Sequence, residues 1–375
     1  MTPSSRTPLT RLSLLGAILI AFSLLLTGLI TPPAKAAPKA PNGMLGIVPQ
    51  ALPTRKDTRR MKAGGIDNMR LALAWNNVQS VNAKSFNWAV VDEIVKVAAR
   101  EGMRVMPFLY GTPAWLSKRS TNMPVENKNQ LDKWRAFVKA AVERYGSKGD
   151  FWEEGPYNEL PKKPVHEWQI WNEANFHYFT TPVSPAKYGR LLDASARVIH
   201  KTDPKAEVVV SGLFAKPKGA NRRAMDADIY IKRLVKHSMN RSIDSIAIHP
   251  YSSDTADLES TMKEFRRAAI KAGLRKKSVQ ITEIGWGSGP ATNAFLKGSK
   301  GAQAQQLKSA FNYLVGKRKS LRLKNVYWFS WRDSDPKAQN CSFCYTIGLF
   351  AYRKGNTLVP KPAWRQFVRF TRGKY

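Results

Sequence analysis

The chain has 375 residues, 43% of them hydrophobic, and carries 61 Lys and Arg against 27 Asp and Glu, a net charge of +34. The apolar content excludes a disordered chain, and the length is that of an α/β barrel rather than an ordinary small domain. So basic a surface attracts polyanions, yet the basic residues run along the whole chain and form no DNA- or RNA-binding fingerprint, so no specific nucleic-acid ligand is expected.

The N-terminus reads as an export signal. Arg6 and Arg11 precede an apolar run over residues 12–30, and Ala34 and Ala36 flank Lys35 in a small-x-small cleavage site. The expected division is a signal peptide over 1–36, a short linker over 37–43 and one catalytic domain over 44–375. The apolar run is close to bilayer-spanning length, so an uncleaved anchor is the competing reading. Either way the product is exported, to the cell envelope or beyond.

From residue 44 short apolar runs alternate with amphipathic ones eight times. Strands are predicted over 44–50, 68–75, 103–110, the stretch from 167, 206–214, 243–251, 278–286 and 325–332. Helices are predicted over 55–64, 88–100, 131–145, from Ser184-Pro185 onward, and around 226–237, 261–272, 303–316 and 362–370. Eight strand–helix repeats imply a parallel sheet with right-handed crossovers closed into a (β/α)8 barrel. A doubly wound open sheet is disfavoured, because no glycine-rich phosphate loop follows the first strand.

In such a barrel the chemistry sits where strands end. Read that way, one mouth receives Arg70 and Trp75 from strand two, Trp115 from the loop after strand three, and Asn172 and Glu173 from strand four. Strand six brings His249 and Tyr251, strand seven Glu283 and Trp286, and strand eight Trp331. Two carboxylates, an amide and aromatic rings are what glycosidic chemistry requires. An acid protonates the bridging oxygen, an amide holds a ring hydroxyl, and indoles stack on the sugar. Glu283 leaves an apolar strand (ITEIGWG), where an ionised carboxylate needs a partner that Arg70 and a tyrosine can supply. Asn158-Glu159 repeats the Asn-Glu pair, but Gly155-Pro156 and Pro161 around it mark a loop.

WNEAN at 171–175, HPY at 249–251, TEIGW at 282–286 and YWFSW at 327–331 resemble the clan-A retaining glycoside hydrolases, in particular glycoside hydrolase family 39 and its bacterial exopolysaccharide-hydrolase relatives. The resemblance spans roughly residues 44–372. It implies Glu173 as general acid/base, Glu283 as nucleophile and Asn172 as the donor to the sugar 2-hydroxyl. It further implies His249 and Tyr251 lining the subsite, Arg70 steadying Glu283 and Trp331 as the floor beneath the ring. The substrate is then a poly- or oligosaccharide, and an anionic cell-envelope polymer is a further partner suggested by charge. No cofactor or metal is implied, because side chains supply both proton transfer and attack, and a monomer is expected. The alternative is a barrel that binds glycan or envelope without cleaving it. Cys341 and Cys344, the only cysteines, read as one local disulfide in an exported chain, with a free thiol pair as the alternative.

Overall fold

The computed structural model describes residues 38–217, 223–291, 293–335, 337, 344–353, 355 and 357–375. The expected signal peptide over 1–36 lies outside them. Nine parallel strands form one sheet: β1 (Leu45–Val48), β2 (Asn68–Ala74), β3 (Arg104–Tyr110), β4 (Glu167–Ile170), β5 (Glu207–Val209), β6 (Leu213–Phe214), β7 (Ser245–His249), β8 (Ser278–Ile284) and β9 (Leu323–Phe329). Their order is β5-β4-β3-β2-β1-β9-β8-β7-β6, and an additional β5–β7 pairing closes the ring. β5 and β6 are two pieces of one interrupted strand, both paired with β7. The closed figure is an eight-stranded (β/α)8 barrel.

The longer helices between strands form because one face is apolar, and five of the ten among the described residues also have a capped start. The helices are α1 (Arg55–Ala63), α2 (Trp75–Val78), α3 (Ala89–Arg100), α4 (Lys128–Tyr145), α5 (Pro185–Thr202), α6 (Ala227–Leu234), α7 (Thr255–Lys271), α8 (Lys300–Gly316), α9 (Arg318–Leu321) and α10 (Pro362–Phe370). Thr54 and Asp57 make a reciprocal capping box on α1, and Asn127, Ser184, Asp254 and Ser299 each accept a first-turn N–H of α4, α5, α7 and α8. Among the described residues no helix is long and apolar enough to cross a membrane.

The barrel is filled by inward side chains in layers. Met106, Val209, Ala247, Tyr327 and Phe329 pack together in its interior. Toward the N-terminal end of the strands, Lys324 closes on Glu167 at 2.6 Å and Glu207 at 2.8 Å.

The sequence reading places most elements within a few residues. Strand four ends at Ile170, earlier than the apolar pattern suggests, because Trp171 and Glu173 take left-handed backbone conformations (φ 67° and 42°). Such backbone at non-glycine residues costs energy and recurs at functional sites. Asn158 and Glu159 lie exposed in a turn, as the loop reading requires.

Candidate active site

The strand ends bring Arg70, Gln169, Asn172, Glu173, His249, Tyr251, Thr282 and Glu283 into one hydrogen-bonded group. Arg70, fully buried on β2, is its centre. Its Nε donates to Gln169 Oε1, Nη1 to Glu283 Oε1 and Nη2 to Asn172 Oδ1, each at 2.7 Å. The guanidinium lies 4.2 Å from the centroid of Phe108, a face-on cation–π contact on its remaining side. Tyr251 donates its hydroxyl to Glu283 Oε2 at 2.9 Å, so both oxygens of that carboxylate accept a hydrogen bond.

Glu173 is held differently. Its Oε1 lies 2.7 Å from His249 Nδ1, and His249 Nε2 lies 3.0 Å from Thr282 Oγ1. Burial, and then the charge of Glu283, push the Glu173 carboxyl well above the ordinary carboxylate range, against a smaller opposing effect of Arg70. Burial, with Arg70 adding to it, holds His249 well below the usual histidine range, so its imidazole is neutral near pH 7. One carboxyl is thus kept toward its acid form beside another that receives two donors.

A break in the barrel wall makes room for this arrangement. Between β5 and β6, a Cβ on Gly212 would stand 2.0 Å from His249 Nε2 and 2.5 Å from Thr282 Oγ1. Only glycine lets the imidazole lie there. Asn175 anchors the same region, donating to the carbonyls of Phe214 and Met225 and accepting from the Phe214 N–H.

Glu173, His249 and Glu283 offer ligand atoms within 4.8 Å of one another, the one group among the described residues able to hold a metal ion. The Arg70 cation already bonded to Glu283 opposes a second cation at that point.

The aromatic residues depart from expectation. Trp75 is fully buried behind the barrel wall, donating to Gln79 and stacked on Phe137 at 5.4 Å. Trp286 is buried with its N–H on the Ser252 carbonyl and its ring against Trp328. Trp331, expected as the floor of the mouth, instead packs on Phe350 and Trp364 beneath α10, with its N–H on Asp57. β9 ends at Phe329, and that ring belongs to the interior cluster containing Tyr251. The chain has already left the barrel when it reaches Trp331. Trp115 is partly exposed, its N–H on the Gln79 carbonyl.

What approaches the mouth instead is a row of phenyl rings. Phe176 meets Phe214 at 5.4 Å, Phe214 meets Tyr251 at 5.7 Å, and Phe295 stacks on Tyr251 at 5.1 Å. Phe176, Phe214 and Phe295 are all partly exposed. Their sequence signal, isolated phenylalanines at a strand end or in the loops that follow, is weaker than that of a tryptophan. Gln169 and Thr282 also escaped sequence reading, because a polar residue inside a strand looks like a register detail. Cys344 is buried and disulfide-bonded, while Cys341 lies outside the described residues.

No protein-family model matches the chain, and no curated protein matches it. Solved structures do resemble it. A family 39 glycoside hydrolase from Bacteroides cellulosilyticus WH2 superposes with a TM-score of 0.63 at 20% identity, over 90% of this chain and 65% of that one. A monomeric beta-xylosidase from Caulobacter crescentus CB15 gives 0.63 at 15% identity, over 89% of this chain and 69% of that one. A GH5_18 structure from Streptomyces cattleya in complex with GlcNAc gives 0.64 at 14%, over 90% and 80%. At these identities the likeness establishes the barrel fold. The chain spans just under two thirds of the first structure's length.

Proposed function

We propose that this protein is a retaining glycosidase, with Glu283 as nucleophile and Glu173 as general acid/base. The observation carrying this reading is the close pair itself, two carboxylates with ligand atoms within 4.8 Å and opposite surroundings. Retaining enzymes keep their carboxyl groups about 5–5.5 Å apart, whereas inverting ones leave room for a water at roughly 6.5–9.5 Å.

Glu283, receiving Arg70 and Tyr251, attacks the anomeric carbon from below. Glu173, kept protonated by burial and by the charge opposite, gives its proton to the departing oxygen. Once the glycosyl ester forms, the charge on Glu283 is gone. Glu173, now a carboxylate no longer opposed by that charge, takes a proton from the incoming water. Asn172 has its oxygen committed to Arg70, which turns its amide nitrogen toward a substrate hydroxyl such as the 2-hydroxyl. Phe214 and Phe295 supply apolar surface for the sugar face.

The substrate class is a poly- or oligosaccharide, and the neighbouring glycoside hydrolase structures support that class. Export rests on the signal-like N-terminus, and retention on an anionic envelope polymer rests on the net charge of +34. The deciding experiment is hydrolysis across a panel of neutral and acidic polysaccharides by wild type, Glu173→Ala and Glu283→Ala. Sugar release by wild type alone supports the assignment. Glycan binding without release, unchanged in both variants, turns the reading to a non-catalytic binding barrel.

A further inference from the structure

At the opposite end of the barrel, where β8 begins, positive charges gather with no acid among the described residues paired to them. Arg266, in the last turns of α7, is 8% exposed, and its Nη2 donates to the Arg275 carbonyl at 2.7 Å. Its Nε and Nη1 have no hydrogen-bond partner among the described residues. Arg322, following α9, reaches the same loop from the other side, donating to the Lys276 carbonyl at 2.7 Å. Arg275 and Arg322 are exposed, and Lys276 and Lys277 extend the loop toward Ser278. Burial, and then the charges of Arg322 and Arg275, hold the ionisation of Arg266 below the usual arginine range.

A buried, unpaired guanidinium costs several kcal/mol unless a counter-charge satisfies it. Elsewhere in this chain that condition is met: Arg70 has Glu283, Arg144 has Asp92 and Arg332 has Asp57. At Arg266 the protein supplies two more arginines instead. A planar guanidinium suits tetrahedral oxyanions, and the two flanking arginines sit on exposed positions from which they can close over one. We propose that Arg266, Arg275 and Arg322 form an oxyanion-binding site for a phosphate or sulfate group, free or borne on an anionic polysaccharide. The site lies about 17 Å from Glu283 by strand length, counting roughly 3.3 Å per residue of β8. It is therefore independent of the glycosidase reading and stands or falls without it.

The test is thermal unfolding of the full chain in 0–20 mM phosphate against chloride at matched ionic strength. Three variants are compared with wild type: Arg275→Gln/Arg322→Gln, Arg266→Met, and the charge-matched control Arg365→Gln/Arg369→Gln on α10. Expected is a saturable rise in Tm for wild type and control, absent from the other two. Arg266→Met should also be at least as stable as wild type without phosphate, since it removes an uncompensated charge. A wild type no more stable in phosphate than in chloride, or a response equal in all variants, overturns the site. Retention on a heparin column then separates the sources. Earlier elution of the Arg275/Arg322 variant than of the control marks a polymer-borne group, and equal elution with a lost phosphate response marks a free anion.

Discussion

Gln169 and Arg70 are joined by a 2.7 Å hydrogen bond, Nε to Oε1, and through it the supports of the two mouth carboxylates, Glu173 and Glu283, are connected. Because the Gln169 oxygen accepts from Arg70, its nitrogen must donate, and it faces the Val210 carbonyl at 3.2 Å and Thr282 Oγ1 at 3.4 Å. The Thr282 proton is thereby directed at His249 Nε2. That pattern assigns the remaining imidazole proton to Nδ1, where it donates to Glu173.

Gln169→Glu reverses this order. A carboxylate at position 169 cannot donate to Thr282, so the hydroxyl turns toward it, His249 protonates on Nε2, and Nδ1 becomes an acceptor facing Glu173. Glu173 then holds its proton to higher pH. The expected results are an alkaline shift of the falling limb of the rate–pH curve and a changed histidine tautomer by ¹⁵N NMR. An unaltered tautomer counts against the relay.

The two glutamates should separate by leaving group. Glu173→Gln is expected to slow hydrolysis of poor leaving groups by about 10²–10⁴, the usual worth of general acid catalysis. An aryl glycoside whose phenolate needs no protonation should recover most of its first step. Glu283→Gln should lose both substrates alike. Burst kinetics on the two substrate types read this directly.

Rate should also be bell-shaped in pH. The Glu173 carboxyl, raised by burial and then by the charge of Glu283, is the acid lost as pH rises, and its loss sets the falling limb. A flat profile between about pH 4 and 8 would contradict the assignment.

Gly212→Ala places a methyl 2.0 Å from His249 Nε2, where neither the imidazole nor Thr282 has solvent to move into. Overpacking of this kind costs about 1–3 kcal/mol. A lowered Tm together with a loss of turnover exceeding that of a distant variant of equal Tm is expected. Full activity at native Tm would show that the break between β5 and β6 yields.

Asp57 is fully buried and receives Arg332, Trp331 and Thr54. Burial alone would raise its carboxyl, but those donors outweigh it and leave it below the ordinary value. A depressed folded value means stability present above the unfolded value, near 3.8, and lost as pH falls through the folded one. Asp57→Ala should cost about 3–5 kcal/mol at pH 7, the cost of breaking a buried pair, with the difference shrinking in acid. Urea titrations at several pH values measure it.

The order of strands and helices was legible in sequence because burying an apolar face imposes a period of about 2 or 3.6, and that period survives without any knowledge of neighbours. That Glu173 and Glu283 would meet at one mouth was legible for a related reason: each carboxylate stands at the end of an apolar strand, and barrel closure gathers those ends. The tryptophans were misread by the same logic. A large ring near a strand end serves the mouth or the helix layer, and sequence does not say which. Trp75, Trp286 and Trp331 all went to packing. Tertiary structure alone decided that, along with the roles of Gln169, Thr282 and Gly212. Their hydrogen bonds and close approach span from 33 to 113 residues of chain, and only barrel closure brings such partners within reach.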